Sequence, residues 1–455
     1  DPEELRQSPP PPATEVSFPA YPASSPEPVQ WDRQKHPPPD FQTLFLQIRK
    51  PSDILPSHLQ VLNINFQPQC SIQEMIPLSP DGGSYIPYLS DIIRPLPREA
   101  PPSPPAHRMW EFEHRIAEIS LDNDLAYRRL SRSPMHSDGV RLTHMARFFD
   151  SLENLGQHWD SSLDRYLKVD EFDKPVDESE DGREVYSGRR TSDGKSMPDR
   201  FRSETIRRLV ESIARVFNCA VAQPRRPPQI KLGMMNLPIR QTAALYRFPT
   251  DHRRAREGHL QGPILAVQTR PEFDFASEGG DTRSELDLLR ELGALLHLAQ
   301  ERSREGTSEV KPGAGKWWTS APRWGGGVVN AENFPDHDAK KPNTWATVKC
   351  GSGNWDPKTE YLALGKRRDS AYDEVFLVSA IVHHVSIVKL TVHDEYIRLL
   401  SSGMLLPDNE LEDLPKDWCK PLFQRTGWYN LLDPGERSEA YAAIWGVVSY
   451  LMRDS

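Results

Sequence analysis

The sequence predicts an α/β or α+β fold, a mixed sheet flanked by helices, with a long, largely disordered, proline-rich N-terminal arm. Three observations point there. Prolines crowd the first quarter of the chain, two regions of clear helical period bracket short β-branched runs, and a well-capped helix closes the sequence. The order helix, strands, helix, strands is that of a layered core.

Residues 1–106 hold more than half of the 43 prolines, in runs such as SPPPP and APPSPPA. Proline lacks a backbone donor and fixes φ, so this arm is expected to be extended and without a regular core of its own. Phe41–Phe66 is apolar enough to dock on the folded body, and the sequence leaves docking open. Ser8, Ser25, Ser79, Ser103 and Ser133 each precede proline, the minimal pattern for proline-directed phosphorylation, and proline-rich stretches suit protein partners of the SH3 or WW type.

Residues 107–169 read as helical, with Trp110, Ile116, Ile119 and Leu125 marking one helix and Leu142, Met145, Phe149, Leu152 and Trp159 a second. Residues 170–200 read as a flexible polar linker. The remainder, 201–455, is expected to be the α/β core. Its first helix shows Ile206, Leu209, Val210, Ile213, Val216 and Phe217 on one face, with Ser203 as N-cap. Strands are expected near Ile230, over Thr242–Phe248 and from Ile264 to Phe275, then a helix from Ser284 to Arg304 opened by a Thr282/Glu285 capping box. Val375–Val392 reads as strand, although its first half also suits a buried helix. Asp433, Pro434 and Glu436 mark the start of the terminal helix.

A formal charge of −9 and a pI near 5.9 argue against bulk electrostatic binding to nucleic acid or acidic membrane. Four widely spaced cysteines without a CxxC pair disfavour zinc frameworks and a disulfide scaffold. The most apolar run, Val375–Leu390, is broken by His383, His384, Ser386 and Lys389, so no membrane span is expected. The chain reads as soluble and intracellular, nuclear or cytoplasmic.

The strand at Ile264–Phe275 carries the most suggestive chemistry. Alternation puts Gln268, Arg270, Glu272 and Asp274 on one face, where Glu272 and Asp274 would hold magnesium or manganese and Arg270 would meet a phosphate. The plainer reading is a half-exposed edge strand with an ordinary polar face, ended near Pro271. The loop KWWTSAPRWGGG offers a second candidate: Lys316, Trp317, Trp318, Arg323 and Trp324 would stack bases or sugars and meet phosphates, or its indoles would simply fill a gap in the core. His383, His384 and His393 have Asp394 as their only nearby acid, and Asp336-His337-Asp338 lies among lysines in a loop. Neither suits a metal well. GAGK at 313–316 lacks the upstream glycine and following hydroxyl of a phosphate loop.

The arrangement around Gln268–Arg270 resembles the PD-(D/E)XK nuclease fold, in which a helix precedes strands carrying an acid and then acid-x-lysine, with another helix following. The tripeptide at that position here is Gln268-Thr269-Arg270, so the resemblance implies a degenerate site. The segments KWWTSAPRWGGG, GNWDPKTEYLALGKR, DEVFLVSAIVHHVSIVKLTVHDEY and GPILAVQTRPEF resemble a family of uncharacterised filamentous-fungal proteins over roughly 240–450. Three functional readings follow: a protein acting by binding without an intact catalytic site, a divergent metal-dependent nuclease using Glu272, Asp274 and Arg270, and a nucleic-acid binder working through the tryptophan loop.

Overall fold

The structure, a computed structural model, describes residues 9–21, 28–32, 35–39, 44–45, 47–88, 104–130, 142–170, 182–224, 227–232, 235–276, 283–306, 348–350, 358–402 and 406–453. In chain order the elements used below begin with α1 (Pro56–Gln60), β1 (Asn65–Phe66), α2 (Pro104–Ile119), α3 (Asn123–Leu130), α4 (Ala146–Trp159), β2 (Tyr166–Val169), β3 (Arg183–Tyr186) and α5 (Asp199–Ala214). They continue with β4 (Cys219–Ala222), β5 (Gln229–Leu232), β6 (Met235–Pro238), β7 (Gln241–Arg247), β8 (Leu260–Arg270), α6 (Ser284–Arg302), β9 (Val348–Cys350) and β10 (Thr359–Tyr361). The last are β11 (Tyr372–Ile381), β12 (His384–His393), α7 (Asp394–Ser402), β13 (Leu422–Arg425) and α8 (Pro434–Leu451). The class is the expected one, a large mixed sheet with helices. No described helix is long and apolar enough to cross a membrane.

The chain divides into two compact units, one of residues 1–16, 89–212 and 430–441, the other of 17–88, 213–429 and 442–455. The segments expected from composition cut across this division.

In the first unit α2 and α4 bury Phe112, Ile116 and Ile119 and Phe148, Phe149, Leu152, Leu155 and Trp159. Glu118, buried in α2, accepts the backbone N–H groups of Thr143, His144 and Met145, so a carboxylate sits where the positive end of the α4 dipole needs one. α5 starts five residues earlier than expected: Ser203 lies inside it, its hydroxyl donating to Arg200 O, and is not the N-cap. The polar stretch read as a linker contributes β3, antiparallel to β2. Arg190 within it is buried and bonded to Asp164 at 2.7 Å. Its residues 171–181 lie outside the described ones.

In the second unit the sheet runs β1-β13-β12-β11-β8-β7-β4, with β10 added alongside β8. β4, β7 and β8 are successively antiparallel, β8 and β11 are parallel, and β11 and β12 form an antiparallel hairpin. The parallel step is bridged by α6, which packs on β8 and β11. The strand reading of Val375–Val392 therefore holds throughout, with a turn at Val382 and His383 in place of a helix. A second small sheet has the order β6-β5-β9.

One expectation needs correction. β8 is central, flanked by β7 and β11 and buried from Gly262 to Arg270, so it is not an edge strand. It also stops at Arg270, because Pro271 cannot donate to a ladder, which leaves Glu272 and Asp274 in the loop beyond. Docking of the arm, which the sequence left open, is seen in the structure. Trp31, Phe45, Ile48, Ile54, Leu59, Leu62 and Ile64 belong to the same buried cluster as α6, and β1 pairs in parallel with β13. The cause lies in α6. Its leucines occupy every side, Leu288, Leu295 and Leu298 as well as the expected stripe, and every residue from Leu286 to Gln300 is buried. The sheet covers one side of such a helix, and Phe45, Ile48, Ile54, Leu59 and Leu62 add to the cluster that buries the rest.

The terminal helix begins as read. Asp433 Oδ1 accepts from Glu436 N–H at 2.8 Å, the N-cap arrangement, while the Glu436 carboxylate accepts from Asn430 N–H.

Candidate functional site

The C-terminal ends of β8 and β11 carry an uncommon concentration of buried charge. α6 presents Asp287 and Glu291, four residues apart and hence on one face, toward the end of β8. Arg270, with a side chain fully shielded from solvent, binds Asp287 at 2.6 Å and also binds Glu291. It donates as well to Ala380 O at 3.2 Å. Glu291 accepts from Ser379 of β11 and from Arg425 of β13, the latter at 3.2 Å. Arg290 reaches Glu272 at 3.5 Å, and Arg240 reaches the same carboxylate at 2.8 Å. Four arginines therefore share three carboxylates.

Aromatic rings border the cluster. The Arg425 guanidinium carbon lies 3.6 Å from the Tyr21 ring centroid and 5.0 Å from that of Trp428, and Arg270 lies 5.7 Å from Trp428. His383 and His384, in and after the β11–β12 turn, have centroids 4.2 Å apart.

Burial and charge pull the titrating groups in opposite directions. Asp287 is raised to about 6, chiefly because burial penalises its charged form and Glu291 repels it, against the pull of Arg270 and Arg290. Burial would raise Glu291 too, but Arg425 and Arg270 outweigh it and hold that carboxyl below its ordinary value. Burial alone lowers His384 to about 4. It takes His383 well down as well, helped by His384.

Hydrogen bonding in the cluster is incomplete. Tyr21 Oη, Arg425 Nη2, Asp287 Oδ2, His384 Nδ1 and the Gln241 and Gln268 side-chain oxygens are buried and meet no hydrogen-bond partner among the described residues. Gln241 and Gln268 are paired in register on β7 and β8, so two neutral amides stand side by side where the strands meet. The backbone is strained nearby: Arg240, just before β7, has φ 66°, and Val382, just after the residue paired with Arg270, has φ 54°. A β-branched residue avoids that left-handed region unless its surroundings enforce it.

The candidates read from sequence separate here. Arg270 lies in the cluster, inside the protein. Glu272 joins it through Arg290 and is nearly buried, at 9 % exposure. Asp274 stands apart in the loop, accepting from Ser17 Oγ at 3.2 Å. Among the described residues no group of three or more His, Cys, Asp or Glu is arranged to hold a metal ion. Lys316, Trp317, Trp318, Arg323 and Trp324 lie outside the described residues, as does Asp336-His337-Asp338. His393 is far along β12 from the other two histidines and accepts from Glu395 N–H. The arginines between β7 and β8 are met by acids: Arg253 pairs with Glu257, and Arg254 with Glu360.

Asp287, Glu291, Arg425 and Trp428 were missed. The two acids on α6 looked like the polar face of an amphipathic helix, and only the leucines on that same face signalled otherwise. In the first unit, α4 and α5 border a cavity of about 300 Å³ lined by Arg147, Arg200 and Arg208 but also by Asp150 and Glu204. Its acids offset most of its positive charge. No protein-family model, curated protein or solved structure matches this chain.

Proposed function

We propose that the protein acts by binding, on a PD-(D/E)XK-like scaffold whose catalytic positions have passed to internal ion pairing. The order α5, β4, β7, β8, α6, β11 supports this reading, since the resemblance calls for a helix, strands carrying an acid and then acid-x-lysine, and a further helix. In that comparison Gln241 and Gln268 stand on the strand pair where acids are needed, and an uncharged amide cannot supply the negative charge that binds a divalent ion. The observation that carries the reading is Arg270, which lies at the lysine position yet spends its donors on Asp287, Glu291 and Ala380 O inside the protein.

The ligand this face suits is a phosphate-bearing chain with stacking groups, such as single-stranded nucleic acid. Arginines outnumber carboxylates there, and Trp428 supplies a flat ring beside Arg425. Fluorescence anisotropy with a labelled single-stranded oligonucleotide at low salt, followed by a salt titration, tests it. Binding that weakens with salt and is lost in Trp428→Ala supports the reading, and binding unaffected by Trp428→Ala sinks it. An oligonucleotide-cleavage assay with magnesium or manganese distinguishes the nuclease alternative: no cleavage is expected. Metal-dependent cleavage abolished by Glu272→Ala/Asp274→Ala would reinstate those residues as catalytic.

A further inference from the structure

Five residues of the arm, Ser17–Tyr21, lie across the candidate site. Ser17 N–H donates to Phe273 O at 2.9 Å, and its hydroxyl accepts from the N–H groups of Phe275 and Ala276 at 2.6 and 3.0 Å. Ala20 N–H donates to Ser284 Oγ at 2.8 Å, next to the first turn of α6. Between these anchors Phe18 stacks on Trp428, centroids 5.1 Å apart, and meets His384 edge-on at 5.0 Å. Tyr21 covers the Arg425 guanidinium. The segment thus occupies both the loop bearing Glu272 and Asp274 and the Arg425–Trp428 platform.

Its fit differs from that of a core residue. Phe18 keeps 36 % of its surface exposed even while stacked. Tyr21 encloses a hydroxyl that meets no hydrogen-bond partner among the described residues, beside an Arg425 Nη2 that also meets none there. A phenylalanine would supply the same ring without stranding a polar atom, so the segment covers charge without satisfying it. Elsewhere in the arm the fit is closer: Asn63 accepts from Val29 N–H and donates to the Val29 and Cys419 carbonyls.

We propose that Ser17–Tyr21 is a displaceable strap that holds the Arg425–Trp428 face closed, so that a ligand binds only as the strap leaves. The proposal rests on the reading that this face binds a phosphate-bearing chain. The strap competes in cis, and the apparent affinity of the closed protein is the intrinsic affinity reduced by the fraction of molecules that are open.

The test compares the full chain with a Phe18→Ala/Tyr21→Ala variant, using a fluorescein-labelled single-stranded oligonucleotide for affinity and amide hydrogen exchange over residues 13–21 for strap release. The variant should exchange faster there and bind about tenfold more tightly or better, as for a strap open roughly a tenth of the time. Adding Trp428→Ala should abolish the gain, and oligonucleotide added to the unaltered protein should speed exchange at Ser17 and Ala20. Faster exchange in the variant with unchanged, measurable affinity overturns the strap and leaves the ligand reading standing. No binding by either chain, with the strap shown to be free, overturns the ligand reading and this proposal with it. Should the double variant fail to fold, Phe18→Ala alone, at a side chain already partly exposed, is read by the same criteria.

Discussion

Two buried arginines, one in each unit, show opposite ways of keeping a guanidinium out of water. Arg437, fully enclosed, gives its donors to neutral oxygens: Ile119 O at 2.8 Å, Asn123 Oδ1 at 2.7 Å, and the carbonyls of Leu431 and Leu121. Phe149 lies beneath it at 5.2 Å. Burial lowers it to about 10, with Tyr127, Asp433 and Asp160 pulling the other way. Arg270 is just as deep, but for it the same burial penalty is outweighed by Asp287 and Glu291, and the group is raised. Around Arg437 each guanidinium nitrogen has an uncharged acceptor. Around Arg270 charges are in excess, and several polar atoms meet no partner among the described residues. The first arrangement fastens helices and loops together. The second tolerates, and invites, a further occupant.

The largest expected effect follows from that difference. Arg437→Met strands three backbone carbonyls and the Asn123 side-chain oxygen in a dry interior, and should cost roughly 3–5 kcal/mol in urea unfolding. Arg437→Lys should recover less than half, since an ammonium cannot reach four fixed acceptors at once. A loss below about 1 kcal/mol for Arg437→Met would remove the contrast, because it would mean those oxygens find other donors.

Arg270→Met should cost slightly less, about 3 kcal/mol, by leaving Asp287 without its ion-pair partner while Glu291 keeps Arg425. The distinguishing measurement is the second substitution. Adding Asp287→Asn removes the stranded charge, and Arg270→Met/Asp287→Asn should regain at least half of the stability lost. No single change can rescue Arg437→Met in this way, because its acceptors are mostly main chain. Failure of the rescue would show that Arg270 is held by geometry, as Arg437 is, and that the cluster is an ordinary structural network.

The sequence made some of this legible and concealed the rest for definable reasons. Asp433-Pro434-x-Glu436 marked α8 to the residue, because capping is local chemistry. The order of strands and helices around β8 was visible from period alone. The apolar face of Thr242–Phe248 could be seen, yet β4 and β6, four residues each, were too short to show a period. Arg270 was singled out, but as a surface group on phosphate. Alternation says which face a side chain takes and not whether that face meets water, and here α6 covers it with two acids. Arg425 and Trp428 lie 155 and more residues further along the chain and share no local pattern with Arg270. Likewise Phe18 and Tyr21 sat in a proline-rich arm whose composition argued for extension, and what seats them is a platform built from the far end of the sequence.

The smallest effect separates the two arginines by pH. Arg437, even lowered to about 10, stays charged throughout the neutral and acid range, so it contributes no proton linkage there. The cluster does contribute, with both signs. His384 has a folded value of about 4 against an ordinary 6.5, so between these the unfolded chain binds the extra proton, and stability present above pH 6.5 is lost as pH falls toward 4. His383, lowered further, acts in the same direction. Asp287 opposes them: raised to about 6 from 3.8, it binds its proton more readily in the folded state, and so adds stability as pH falls through that window. Two histidines against one acid leave a net loss on acidification. Asp287→Asn removes the offset, so the loss between pH 7 and 5 should steepen by about 1–2 kcal/mol. His384→Phe should make it shallower by a similar amount. Thermal unfolding across that range reads both slopes. If Asp287→Asn leaves the slope unchanged, Asp287 is ionised in the folded protein at pH 5, its charge is fully matched by Arg270, and the cluster has no excess of charge to offer a ligand.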